Sequence, residues 1–184
     1  MRIISGTHKG KRISAPKKLP VRPTTDMAKE ALFNILNNRY YFDELTVVDL
    51  FSGTGNISYE FASRGTKNIS AVDADYGCVK FINDTSDTLE MGIAAFKSDV
   101  FTYLEKSREK ATIIFADPPY DLPIESFEKI PQKVFENGLL LDNGLLIIEH
   151  SSHMDLSHLE HFVEKRKYGG SIFSFFAWPE PVTL

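Results

Sequence analysis

The chain of 184 residues has a single cysteine, Cys78. An intramolecular disulfide framework is therefore excluded, and a reducing compartment is implied. No apolar run approaches the ~20 residues of a membrane-spanning helix, and the first residues lack the apolar segment of a signal peptide. These absences lead to the expectation of a cytoplasmic protein. Internal repeats and low-complexity stretches are also missing, and the length suits one well-buried domain rather than two. Four histidines, His150, His153, His158 and His161, fall close together. They have neither cysteine partners nor an H-E-x-x-H pattern, so they read as surface histidines and no metal site is expected.

Acids are missing from one place in particular. Residues 1–25 contain Arg2, Lys9, Lys11, Arg12, Lys17, Lys18 and Arg22 and not one Asp or Glu. The formal charge of −4 thus divides into a basic N-terminal segment and an acidic body of −11. That asymmetry is a signature of nucleic-acid contact, in which phosphate contacts supply affinity and register without sequence information. Within the segment, Met1–Gly6 and Lys11–Ser14 flank His8-Lys9-Gly10 and predict a small β-hairpin. Pro16, Pro20 and Pro23 keep the chain extended until Thr24 or Thr25 can cap a helix running through Leu36.

Beyond that helix, strand and helix alternate. Leu45–Leu50 predicts a first core strand, followed directly by Phe51-Ser52-Gly53-Thr54-Gly55 and a helix to about Arg64. Such a glycine loop admits a cofactor beside a helix N-terminus, although Ser58 stands where the dinucleotide fingerprint has its third glycine. A second strand from Asn68 ends at Asp73, placed to grip a ribose diol, with Asp75 as a competitor. A helix from about Tyr76 to Leu89 leads to a third strand, Ala94–Lys97, closed by Asp99, which could accept a hydrogen bond from an adenine amine.

The fourth strand, Ala111–Ala116, is stopped by Asp117-Pro118-Pro119-Tyr120. Neither proline can donate to a ladder, and Pro118 forces Asp117 into extended backbone. The result is a rigid shelf at a strand's carboxyl end, where open α/β sheets bind ligands. The Asp117 carboxylate and the Pro118 carbonyl suit the two N–H groups of a planar amine, and the Tyr120 ring suits stacking on its base. A helix over residues 124–137, interrupted or kinked near Pro131, comes next, then a turn at Asp142-Asn143-Gly144 and a buried strand over residues 145–150. Two segments flanking Gly169-Gly170 predict a closing antiparallel hairpin.

Together, the Phe51–Gly55 loop, the acids Asp73 and Asp99 after successive strands, and the Asp117 shelf resemble the class I methyltransferases, which use S-adenosylmethionine. Within them the chain is similar over essentially its full length to the small bacterial 16S ribosomal RNA guanine-N2 methyltransferases. The matching segments are Met1–Gly6 with Lys9-Gly10-Lys11, Arg22–Asp26, Glu30–Leu36, Val48–Gly55, Asp117–Tyr120 and Lys167-Tyr168-Gly169. The chain departs from the family at Met27-Ala28-Lys29, where an arginine-rich helix start is usual. It also has Asp73 where glutamate is common.

The resemblance implies a Rossmann-like sheet of seven strands, the last antiparallel, with helices on both faces and the small N-terminal hairpin as an extension. It divides the chain into a basic RNA-contact arm, 1–23, and a methyltransferase domain, 24–184. Asp49, Phe51, Gly53 and Gly55 would border the methionine side of the cofactor, Asp73 its ribose and Asp99 its adenine. Asp117 would stand between cofactor and target amine, with Pro118, Pro119 and Tyr120 completing the catalytic motif. Arg2, Lys9, Lys11, Arg12 and Arg22 would meet RNA. The implied partner is 16S rRNA in the small ribosomal subunit, approached by a monomer. Competing readings are a DNA adenine-N6 methyltransferase, a protein glutamine methyltransferase (for which Asn is expected at 117), a dinucleotide-dependent oxidoreductase, and a non-catalytic RNA-binding assembly factor with the same fold.

Overall fold

The computed structural model describes residues 1–19 and 24–179. Arg22 therefore lies outside the described residues. Seven strands form one sheet: β1 (Thr46–Leu50), β2 (Asn68–Asp73), β3 (Ile93–Lys97), β4 (Ala111–Ala116), β5 (Leu140–Ser151), β6 (Phe162–Tyr168) and β7 (Ser171–Phe176). Their spatial order is β3-β2-β1-β4-β5-β7-β6, with β1 to β5 parallel and β7 antiparallel to both its neighbours. This is the expected Rossmann-like sheet with its last strand reversed.

Helices cover both faces because the central strands are apolar on both. Val47, Ile113 and Ile147 join a cluster with helices α1 (Asp26–Asn37), α2 (Asn56–Ser63) and α3 (Tyr76–Thr88). Their neighbours Val48, Ile114 and Ile148 point the other way, toward α4 (Val100–Lys106) and α5 (Ile124–Glu136). Side-chain caps start several of these helices. Thr25 Oγ1 accepts from the Ala28 amide at 3.2 Å, and Asp75 Oδ1 from the Cys78 amide at 2.9 Å.

The N-terminal segment makes a reduced hairpin. Arg2 and Arg12 form an antiparallel bridge, and the Ile3 amide donates to the Lys11 carbonyl at 2.9 Å. Ile3 and Ile13 are buried in the same cluster as α1 to α3. The turn of the hairpin sits on the last residue of α2: the Thr7 amide donates to the Ser63 carbonyl at 2.7 Å, and the His8 amide to Ser63 Oγ at 2.9 Å.

Three expectations need correction. Asp142-Asn143-Gly144 is not a turn between elements but an irregularity inside β5, where the register against β4 jumps from Ala111↔Leu140 to Ile113↔Leu145. Gly144 is required there, since a Cβ would stand 2.7 Å from the Thr112 carbonyl oxygen. Of the two alternatives at Pro131, interruption or kink, the interruption is ruled out, since α5 is continuous through that buried residue. Finally, His150 is no surface residue. It is buried, with Nε2 2.8 Å from Ser174 Oγ and Nδ1 2.9 Å from the Ser151 carbonyl, and burial lowers its pKa. Among the described residues, no helix is long and apolar enough to cross a membrane.

Candidate active site

The strand order reverses between β1 and β4, and the loops leaving their carboxyl ends open a crevice there. Because Leu50 is in register with Ala116, the Phe51–Gly55 loop and the Asp117 shelf emerge side by side. A cavity of about 660 Å³ lies between them. Its wall takes in Asp49, Phe51, Gly53, Asp73, Asp99, Asp117, Pro118, Pro119 and Tyr120, every cofactor or catalytic residue expected from the sequence except Gly55.

Gly55 acts from beneath. It precedes α2 at φ +87°, and a Cβ there would stand 2.9 Å from the Tyr59 ring, so the loop can turn into the helix only with glycine. Phe51 also has positive φ, +56°, and its ring meets Phe101 edge-on with centroids 6.4 Å apart. The loop is fastened to the next strand through Asp73. One carboxylate oxygen accepts from the Gly53 amide and the other from the Asp75 amide, both at 2.8 Å. Each oxygen keeps lone-pair capacity for a ligand hydroxyl. Burial raises the Asp73 pKa against the opposing effect of these amides. Asp75, the competitor, is committed to capping α3.

Asp49 is the most enclosed acid of the cavity wall, 2% exposed, and accepts from Ser58 Oγ at 2.6 Å. Burial pushes its pKa up to about 7, with the Ser58 hydroxyl pulling the other way. The residue that replaces the fingerprint glycine is therefore the partner of the buried acid. Asp99 borders the cavity while capping α4, its Oδ1 accepting from the Thr102 amide at 2.9 Å. Helix α4 escaped the sequence reading, although Asp99 before an apolar turn is a start signal. Tyr120 is 53% exposed at the rim, and Pro118 is buried.

Six aspartates line this cavity, and no Lys, Arg or His does among the described residues. Ser52 Oγ, also in the wall, is buried without a hydrogen-bond partner among them. A ligand with positive charge and several donors suits such a surface, as S-adenosylmethionine would with its sulfonium, ammonium and ribose hydroxyls. Cys78 lines the wall too, 1% exposed, its thiol pushed up to about 12 chiefly by burial.

Next to the cavity runs a buried polar chain that the sequence did not disclose. Lys29 is fully buried, and its Nζ donates to the Arg2 carbonyl at 2.6 Å and to Asn56 Oδ1 at 2.8 Å. It lies 3.6 Å from Glu60, whose carboxylate also accepts from the Ile4 and Ser5 amides and from Arg64. Asn56 donates to the Thr24 carbonyl at 3.1 Å, and both residues border the cavity. Thr24 Oγ1 then donates to Glu149 at 2.7 Å, which accepts from Ser171 at 2.6 Å.

The expected RNA-contact residues do not line the cavity. Arg2 pairs with Asp26 at 3.2 Å, whereas Lys9, Lys11 and Arg12 make no ion pair among the described residues.

Residues 1–177 match the family described as Conserved hypothetical protein 95. The chain belongs to that family. YlbH of Bacillus subtilis, named provisionally as an rRNA methyltransferase, is 32% identical over 161 residues, 85% of each chain. Ribosomal RNA small subunit methyltransferase D of Escherichia coli is 28% identical over 150 residues, 81% of this chain and 74% of that one. Among solved structures, protein TTHA0928 of Thermus thermophilus superposes with a TM-score of 0.83 at 24% identity, covering 97% of this chain and 99% of that one. An RNA methyltransferase of Salinibacter ruber, in complex with S-adenosylhomocysteine, gives 0.67 at 16% identity over 88% and 96%. These likenesses place the fold among the Rossmann-like methyltransferases.

Proposed function

We propose that this protein transfers a methyl group from S-adenosylmethionine to the exocyclic N2 amine of a guanine in small-subunit ribosomal RNA. The observation that supports it most is the juxtaposition of a cavity whose charged wall residues are all aspartates with the Asp117-Pro118-Pro119-Tyr120 shelf at its edge. The curated relatives named for rRNA methylation support the substrate class.

S-adenosylmethionine supplies an electrophilic methyl group on a sulfonium. The chain supplies position. Asp73 holds a ribose diol, Asp99 takes an adenine amine, and Asp49 compensates positive charge at the closed end. Asp117 and the Pro118 carbonyl accept the two N–H groups of the target, which turns the nitrogen lone pair toward the methyl carbon. As the N–C bond forms and the C–S bond breaks, the amine acidifies and releases its proton to Asp117 or solvent. Much of the rate comes from orientation and exclusion of water. The base must leave its stack to reach the shelf, and exposed Tyr120 offers a replacement surface.

Small subunits from a strain lacking the protein, incubated with it and labelled S-adenosylmethionine, should yield N2-methylguanosine on nucleoside analysis. Label in N6-methyladenosine would move the target. Cofactor binding without RNA label would overturn the proposal.

A further inference from the structure

We infer that the tip of the β6–β7 hairpin is a second RNA-contact surface, with Lys167 holding the phosphate backbone of a single strand beside the target base. The inference rests on the proposed rRNA reading and deepens it.

Topology puts the tip at the right edge of the sheet. Ser171 is in register with Ser151, the last residue of β5, so the turn at Gly169-Gly170 projects from the carboxyl edge that also opens the cavity. It is also fixed to the cavity rim. Glu149 accepts from Ser171 on the hairpin and from Thr24 on the cavity wall, joining the two through one buried carboxylate. On the outer side, Met27 Cε lies 3.2 Å from where a Gly169 Cβ would be. Met27 itself is 61% exposed although it belongs to the first turn of α1, so an apolar surface stands beside the tip.

The charges on β6 sort themselves. Lys165 pairs with Asp155 at 2.9 Å and Arg166 with Glu164 at 2.6 Å. Lys167, nearest the turn and exposed, makes no ion pair among the described residues. A cation at the end of a hydrogen-bonded strand, uncompensated and on a braced turn, suits a phosphate better than a swinging side chain does. The turn of the N-terminal hairpin is placed otherwise. Its Thr7 and His8 amides bind the last residue of α2, and the eight residues of that helix span about 12 Å from the cavity end. Lys9 therefore meets RNA at a distance from the reacting base, whereas Lys167 meets it at the rim.

The test compares Lys167→Ala and Lys167→Glu with Lys110→Glu, an exposed lysine just before β4 at the opposite edge of the sheet. Binding to a small-subunit rRNA fragment is titrated against salt, and cofactor affinity and thermal unfolding are measured on the same samples. Lys167→Ala should weaken RNA binding roughly fivefold and lower the salt slope by about 0.7, the value for one phosphate contact on a single strand. Lys167→Glu should do more, and Lys110→Glu should stay within about twofold, with cofactor affinity and melting unchanged in all three. Wild-type affinity and slope in both Lys167 variants would overturn this surface while leaving the rRNA reading standing. Failure of the wild-type protein itself to bind the RNA, with cofactor binding intact, would overturn both.

Discussion

Helix α2 divides two charged regions that differ in kind, one open at a cavity and one buried. At its N-terminal end lies the cavity, walled by six aspartates with no basic residue among the described ones. Along its flank lies the Lys29–Glu60 group, in which a buried ammonium and a buried carboxylate face each other and neighbouring amides, carbonyls and Arg64 complete the set. The second group is electrostatically closed and acts as a joint between α1, α2 and the N-terminal hairpin. The first is left acidic, and its deepest member, Asp49, answers by holding its proton up to about pH 7. A region that needs a ligand to finish it is a site, and one finished by the chain is a fastening.

The contrast can be tested most forcefully at the fastening. Glu60→Ala leaves buried Lys29 without its counter-charge and two partly buried amides without an acceptor, and should cost about 3–5 kcal/mol in urea unfolding, as for other broken buried pairs. A loss below about 1 kcal/mol would mean that the group is not a joint. At the site, Asp117→Ala should reduce methyl transfer about 100–1,000-fold with cofactor affinity within a few-fold, since one oriented acceptor at the reacting centre is lost. Retained turnover would remove Asp117 from the mechanism. Asp73→Ala should weaken S-adenosylmethionine binding by about 1.5–3 kcal/mol in calorimetry, the value of hydrogen bonds to a charged group.

The smallest effect concerns protons. Below pH 7 the empty site holds Asp49 protonated, and a cationic ligand favours the ionised form. Binding should therefore release a proton and weaken by up to about tenfold for each pH unit below 7. Asp49→Asn should flatten that dependence, and a wild-type affinity independent of pH between 5.5 and about 7.5 would dissociate Asp49 from the ligand.

Much of this was legible in the sequence because local rules and tertiary demands agree there. Short β-branched and apolar stretches give β1, β2 and β4, Gly169-Gly170 gives the hairpin, and the strand ends give the cavity acids. What stayed hidden depends on partners distant in sequence. Lys29 on a helix reads as a solvated charge until Arg2, Asn56 and Glu60 close around it. Asp142-Asn143-Gly144 has the composition of a turn, and only the pairing of β5 with β4 on either side of it keeps it within a strand. His150 sits at a strand end whose burial comes from β7 laid antiparallel beside it.

Cys78 supplies a clock. It is the chain's one thiol, almost sealed in the cavity wall, and at neutral pH its pKa keeps it from reacting as a thiolate. A thiol-directed dye can label it only when the cavity wall around it opens, so the labelling rate counts those openings with no engineered probe. Filling the cavity should slow the count, which turns an unreactive side chain into a gauge of occupancy.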